Sequence, residues 1–361
     1  MTSEASLEDS REHPLLARSG ITARMQVGPS IQDITRDACW LAQAMDPAGS
    51  IVRFVEMDRE AYRSASFLDD RLFRTPVRTS TRRLDEIDAA LGADQRTDAR
   101  WIFHIGHVGS TLISRILGEL DGVLALREPR LLRDLAALPA DRRRALMPVV
   151  QALFSRTLAA REEMALVKAT SFVGEIAAEI VPAGERALFV HVAPRTYIAT
   201  ILAGENSREE LRLMAPARLT RMARRVPNFC PSTEAEFAAA AWACEMSALE
   251  AAAATMPDRH LLWVDFDTLL HDVPAALRRI AAFMDFRASP NRIDQIARGP
   301  LMRRYSKAPE HDYSPALRRE LLEQEYRLQG SQIDAALAML GASAQNSELL
   351  ARALARTSPE C

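Results

Sequence analysis

The chain has 361 residues, 48% of them hydrophobic, so it can bury the core of one large domain with appendages without disulfide or metal support. Its 46 basic and 48 acidic residues give a formal net charge of -2, which excludes the strong positive field that recruits nucleic acid nonspecifically. Any site for an anion must therefore be local.

The cysteines lie far apart and form no CxxC pair, which argues against a disulfide framework and a thiolate zinc site. They are Cys39, Cys230, Cys244 and Cys361. The first residues contain no apolar run of signal-peptide length, and no later stretch approaches the span of a membrane helix. We therefore expect a cytoplasmic protein that needs no metal and acts on neither membranes nor nucleic acid.

The pattern of apolar residues divides the chain into three parts. Residues 1–95 mix helical patterning with one strand-like run at 51–55 and predict a mostly helical appendage. In residues 96–340, short apolar runs alternate with long helical segments, which predicts an α/β domain with a three-layer parallel sheet and flanking helices. Residues 341–361 are expected to form a C-terminal tail. The predicted strands of the sheet are 101–105, 165–168, 188–192 and 261–266.

A loop with two glycines follows the first predicted strand and leads into a helical pattern. Its residues are Gly106, His107, Val108, Gly109, Ser110 and Thr111. Backbone N–H groups and the positive end of a helix dipole converge at such a turn, and glycine lets an anion approach the main chain. The alternative is an ordinary helix N-cap, where serine or threonine is also expected. Because no lysine precedes Ser110, the loop differs from the GxxxxGK[ST] loop of nucleoside triphosphatases.

This loop resembles the 5′-phosphosulfate loop of the sulfotransferase family, and residues 100–314 look like a bacterial-type member. Many members have a lysine or arginine at the position of His107. Residues 261–270 and 273–286 are similar to the family's late strand, acidic-leucine turn and helix. The resemblance implies a nucleotide-binding fold of the P-loop type. It also implies an enzyme that moves a sulfuryl group from 3′-phosphoadenosine 5′-phosphosulfate (PAPS) to a hydroxyl or amine of a small-molecule or peptide acceptor.

Residues 191–200 are similar to the segment that binds the 3′-phosphate in this family, with two departures. Val192 stands where the family usually has arginine, and Thr200 keeps a hydroxyl where the family usually has serine. A buried phosphate without a cationic partner is costly, so other cations should replace the lost arginine. The candidates are Arg195, Arg304 and Lys307. Arg304 and Lys307 lie in a basic late segment, for which the alternative interpretation is a solvated turn.

Sulfuryl transfer also needs a base for the acceptor. One branch of the family takes a histidine where this chain has Thr170, and another takes a glutamate after the loop helix, where this chain has Glu128. We therefore predict Glu128 as the base, with His107, Lys168 or the substrate itself as the alternatives. The alternative role of Glu128 is that of an acidic residue at the start of a helix. Lys168 ends a predicted strand and is expected to touch the sulfonate or bridging oxygen, whereas His104 is predicted to be a hydrogen-bonded core residue.

Two other functions remain open. One is a nucleotide kinase or hydrolase, which the missing loop lysine disfavours, and the other is a degenerate nucleotide-binding protein without catalysis, which Val192 and His107 permit. A comparison of the binding of 3′-phosphoadenosine 5′-phosphate (PAP) with the binding of ATP and magnesium separates these alternatives. If the loop holds an anion, Gly109→Val is expected to abolish its binding while leaving the fold intact.

Overall fold

The computed structural model of the chain describes residues 28–92, 95–158, 163–257, 259–304, 312 and 314–357. In this part of the chain the strands are β1 (Trp40–Met45), β2 (Ile51–Glu56), β3 (Thr79–Arg83), β4 (Arg100–His104), β5 (Val123–Arg127), β6 (Met164–Lys168), β7 (Arg186–His191) and β8 (His260–Asp265). The first α-helices are α1 (Ile31–Arg36), α2 (Arg59–Ser64), α3 (Leu84–Leu91), α4 (Ser110–Leu117), α5 (Arg130–Ala136), α6 (Ala140–Ser155) and α7 (Ala177–Ile180). The later ones are α8 (Pro194–Leu202), α9 (Glu205–Met222), α10 (Glu234–Ala254), α11 (Phe266–His271), α12 (Val273–Met284), α13 (Pro290–Arg298), α14 (Pro315–Ala344) and α15 (Glu348–Thr357). Short 3-10 helices span Asp70–Arg74, Ser171–Ile176 and Pro300–Arg303.

Five parallel strands form the sheet of the α/β domain, in the order β5-β6-β4-β7-β8. Four of them are the predicted strands, and β5 at the edge is an additional one. Every residue of β4 and β5 is buried, as expected for strands of a parallel sheet covered by other elements. Helices flank this sheet, which confirms the predicted α/β fold class.

The chain changes direction across the sheet at β4, which pairs with β6 on one side and β7 on the other. In an open parallel sheet, ligands bind in the crevice at the carboxyl ends of the strands where such a switch occurs. The glycine loop directly follows β4, and α4 begins at its end and packs against β4, β5 and β6. The sheet topology therefore places the loop in this crevice.

The N-terminal region contains a second sheet, in which β1, β2 and β3 are antiparallel. The predicted strand-like run at 51–55 lies in β2, whereas β1 and β3 were not predicted. β3 is polar and alternates between exposed and half-buried residues, so no apolar run marks it. This region docks at the free edge of the larger sheet, where the N–H of Leu68 donates to the carbonyl of Arg127 at 2.7 Å.

The C-terminal helices α14 and α15 both pack against α10. The boundary predicted at residue 340 falls within α14, and α15 buries Leu350 and Ala353 completely. The segment expected as a tail is thus helical and packed as far as Thr357. Over the residues that the structure describes, no helix has the length and apolar character needed to cross a membrane.

Candidate active site

Three residues of the glycine loop adopt left-handed backbone conformations. The φ angles are 82° at Gly106, 53° at His107 and 66° at Gly109, after which α4 starts at Ser110. Glycine adopts such angles without steric penalty, whereas His107 is one of only four non-glycine residues with positive φ in the described ranges. The loop therefore needs glycine at two positions, and its backbone curls as expected for an anion-binding turn.

The first turn of α4 offers hydrogen-bond donors with no acceptor of their own. The N–H groups at a helix start lack intrahelical partners, and Ser110 and Thr111 lie there, both buried. The hydroxyl of Thr111 has no hydrogen-bond partner among the described residues. Because a buried hydroxyl without a partner is destabilising, this atom fits an oxyanion in the loop. Val108, by contrast, is fully buried and apolar, and contributes only its backbone.

Gly109 lies directly beneath the aromatic ring of Phe266, the first residue of α11. A Cβ atom added at Gly109 would overlap that ring, and Phe266 is itself buried. The expectation that Gly109→Val would leave the fold intact is therefore wrong, because valine would displace Phe266 as well as strain the backbone. Gly109 is required by packing in addition to any role in anion binding.

Glu128 and Lys168 form an ion pair at the carboxyl ends of neighbouring strands. Arg127 and Lys168 are register partners in β5 and β6, and the N–H of Glu128 donates to the carbonyl of Lys168 at 2.7 Å. Lys168 is 1% exposed, and its Nζ donates to Oε1 of Glu128. The other carboxylate oxygen, Oε2, accepts a longer bond of 3.4 Å from the hydroxyl of Thr170. The structure thus brings together the residues that were predicted as base and sulfonate ligand.

His104 connects this ion pair to the glycine loop. Its Nδ1 accepts the backbone N–H of Gly106 at 3.0 Å, so the proton of the neutral ring lies on Nε2. That nitrogen is 3.7 Å from Oε1 of Glu128. His104 is hydrogen-bonded and buried, in agreement with the prediction. Its place between the loop and the carboxylate was missed, although a histidine at the end of the strand that carries the loop was a usable signal.

The ring of His107 points to α9. Its Nδ1 lies 3.3 Å from the hydroxyl of Ser207, and its Nε2 lies 3.4 Å from Oε2 of Glu210. Glu210 also lies 3.7 Å from the buried guanidinium of Arg218. His107 therefore ties the loop to α9, and any contact with a ligand would be made from this position.

The segment predicted to bind a 3′-phosphate is engaged in contacts within the protein. Val192 is fully buried, and its carbonyl accepts a 3.0 Å hydrogen bond from Nε1 of Trp242. The hydroxyl of Thr200 donates to the carbonyl of Thr196 within α8 at 2.7 Å. Arg195, about half exposed, pairs with Asp334 of α14.

The late basic segment is described only in part. Arg304 is exposed and forms an isolated antiparallel bridge with Asp312, and Lys307 lies outside the described residues. A further cation, Arg318 of α14, was not predicted. It donates to Asp267 at 2.6 Å and stacks 5.5 Å above the ring of Phe266, the residue that covers Gly109. One terminal nitrogen of Arg318, Nη2, is buried without a hydrogen-bond partner in the described structure.

The fold is that of an α/β protein with a parallel sheet, and no protein-family profile or curated protein sequence matches the chain. Several solved structures resemble it, among them three of low identity. A sulfotransferase domain from the curacin biosynthetic pathway is 12% identical with a TM-score of 0.43, over 67% of this chain and 99% of that domain. A sulfotransferase domain from the Synechococcus PCC 7002 olefin synthase is 15% identical with a TM-score of 0.34, over 63% and 93%. The mouse sulfotransferase SULT7A1 complexed with PAP is 12% identical with a TM-score of 0.36, over 73% and 90%.

Proposed function

We propose that this protein is a sulfotransferase that takes a sulfuryl group from PAPS and passes it to a hydroxyl or amine acceptor, either a small molecule or a peptide. The observation that carries the proposal is the contact of Glu128 with Lys168 and His104. These three residues come from the carboxyl ends of three adjacent strands, beside the glycine loop. A base, a buried cation and fixed backbone donors are the groups that sulfuryl transfer requires.

The donor is assigned to the loop. PAPS, when bound, supplies an activated sulfuryl group. The N–H groups at the start of α4, with the hydroxyls of Ser110 and Thr111, would hold its 5′-phosphosulfate. The partnerless hydroxyl of Thr111 supports this assignment, since an oxyanion would supply the acceptor that the protein lacks.

The two oxygens of Glu128 have different environments, and this determines which one can take a proton. Oε1 accepts from Lys168 and faces Nε2–H of His104, whereas Oε2 has, among the described residues, only the 3.4 Å bond from Thr170. Oε2 would therefore receive the proton of the acceptor hydroxyl or amine. Lys168 would stabilise charge on the sulfonate or bridging oxygen, and His104 would hold the carboxylate in place.

Of the cations proposed for the 3′-phosphate, Arg195 lies in the segment that contains Val192 and is already paired with Asp334, so the other candidates lie outside that segment. Arg304 and Lys307 remain the candidates from the late segment. Arg318 joins them, because its buried Nη2 lacks a partner and its guanidinium stacks on the ring that covers the loop. A phosphate would satisfy that nitrogen through a charge-assisted hydrogen bond.

Calorimetric titration with PAP, and separately with ATP and magnesium, tests the proposal. We expect PAP to bind and ATP to bind at least tenfold more weakly. A chain that binds ATP with magnesium but not PAP would instead be a kinase or hydrolase. Transfer of labelled sulfate from PAPS to a panel of acceptors then separates an enzyme from a binding protein without catalysis.

A further inference from the structure

A small cavity lies where the N-terminal region docks on the edge of the α/β domain. Its volume is about 30 Å³, and residues of α2, α4 and β5 line it together with Leu301. The charged lining residues are four arginines and one carboxylate, namely Arg59, Arg63, Arg115, Arg127 and Glu119. Arg59 is already paired with Glu163. The remaining cations outnumber the single carboxylate, so the cavity is positively charged.

Arg127 is one of the most deeply buried charges of the protein. It is 2% exposed, and the hydrogen bonds of its guanidinium all go to backbone carbonyls, those of Tyr62, Arg63 and Ala65 at the end of α2. Burial, followed by the like charge of Arg115, lowers the pKa of Arg127 to about 9. Carbonyl dipoles compensate a buried cation less well than an anion does.

Arg115 approaches the same cavity from α4. Its terminal nitrogens lie 3.5 and 3.4 Å from the carbonyls of Arg63 and Ser64, which are long contacts, and 2.8 Å from the hydroxyl of Ser66. Its Nε is buried and has no hydrogen-bond partner among the described residues. Glu119, the carboxylate of the cavity, forms an ion pair with Arg292, with 3.5 Å between its Oε2 and Nη2 of the arginine. The Nε–H group of Arg115 therefore lacks an acceptor among the described residues, next to a cavity with an excess of positive charge.

We propose that this cavity binds one small tetrahedral oxyanion, with Arg115 and Arg127 as its principal ligands. Guanidinium groups match the geometry of sulfate and phosphate oxygens and bind them through charge-assisted hydrogen bonds. The cavity has room for such an ion, since a single water needs only roughly 10–15 Å³ by the same measure. The ion would bridge α2 of the N-terminal region to α4 and β5. The site is separate from the glycine loop and does not depend on the function proposed above.

The site is tested by thermal unfolding of the whole chain in sodium sulfate, with sodium chloride added to keep the ionic strength constant. The Thr111→Val variant is the background for every measurement, so that sulfate in the glycine loop contributes less and contributes equally to the variants that are compared. We expect sulfate to raise the melting temperature, and Arg115→Gln to raise the half-saturating sulfate concentration at least tenfold. An unchanged sulfate response in Arg115→Gln would overturn the proposal.

A second variant keeps the test decisive if Arg115→Gln fails to fold. Glu119→Gln leaves both arginines in place and removes the carboxylate that competes with the ion, so it should lower the half-saturating concentration several-fold. No change would contradict the site. Methyl phosphate and glycerol 3-phosphate form a second arm. A response to sulfate identifies a free ion, a response only to the esters identifies the head group of a larger molecule, and a response to neither excludes the site.

Discussion

Nδ1 of His104 accepts the backbone N–H of Gly106 at 3.0 Å, while Nε2 of the same ring lies 3.7 Å from Glu128. One side chain therefore binds the loop that would hold the donor and lies next to the carboxylate that would take the proton. A displacement of the loop would therefore move His104 relative to the carboxylate of Glu128, and the reverse also holds. His104 is accordingly a positioning residue for both steps.

His104→Phe should weaken PAP binding and turnover together, each by about tenfold, because it leaves the N–H of Gly106 without an acceptor and removes the Nε2–H group that faces Glu128. Calorimetry and a labelled-sulfate assay measure the two effects. His191→Phe is the control for the loss of a buried histidine at a strand end, here of the adjacent strand β7, and it should weaken PAP less than His104→Phe does. Equal effects of the two variants would mean that His104 acts only through the stability of the sheet.

Glu128→Gln should lower turnover by a factor of about 10² to 10⁴ with little change in PAP affinity, because glutamine keeps the size but cannot accept the proton. It should also lower the melting temperature, since Lys168 is 1% exposed and would lose its anionic partner. Adding Lys168→Met should recover part of that stability and none of the turnover. Near-normal turnover of Glu128→Gln across the pH range would move the role of base to another group.

Thr111→Val should weaken PAP by roughly 1 kcal/mol or more while leaving the free energy of unfolding unchanged or higher, since it removes a buried hydroxyl without a partner. The matched control is Ser114→Ala. Ser114 lies on the same helix, is fully buried, and its hydroxyl also lacks a partner among the described residues. The control should leave PAP affinity unaltered. If both variants bind PAP like the wild type, the hydroxyl of Thr111 takes no part in holding the donor.

Gly109→Ala should lower the free energy of unfolding by roughly 2–5 kcal/mol, from left-handed backbone strain together with the overlap with Phe266. Denaturant unfolding of this variant, of Phe266→Ala and of the double variant measures the coupling. We expect the double variant to lose less than the sum of the single losses, by at least 0.5 kcal/mol. Strict additivity would show that the ring does not restrict position 109.

Acid should destabilise the fold through His191. Burial lowers the pKa of His191 to about 4, from an ordinary value of 6.5. Between pH 6.5 and pH 4, His191 is protonated in the unfolded chain but stays neutral in the folded chain. The free energy of unfolding therefore falls as the pH is lowered from 6.5 towards 4, by up to about 3 kcal/mol. His191→Gln should flatten this part of the stability curve, whereas His271→Gln, at an exposed position, should not. Parallel curves for His191→Gln and the wild type would refute the assignment.

The strand, loop and helix that carry the candidate site were predictable because their signals are local, a short apolar run followed by glycines and a helical pattern. The contact of Glu128 with Lys168 was not, because it depends on β5 lying beside β6 with Arg127 opposite Lys168. Both residues were predicted in the site, but not as a pair. Arg318 was missed for a similar reason. Its guanidinium stacks on the ring of Phe266, which covers the loop, and no sequence pattern predicts a contact between residues so far apart in the chain.

The position of β4 in the centre of the sheet also determines when the site can form during folding. Trp101 of β4 pairs with Val167 of β6 and Ala187 of β7, so the strand gains both neighbours only through contacts distant in sequence. Parallel pairing over such separations is slow, since the chain loses loop entropy before the contacts compensate. A ribosome-bound chain that ends before β7 would expose one apolar edge of β4. It would need protection from aggregation at a stage when no cofactor could yet stabilise it.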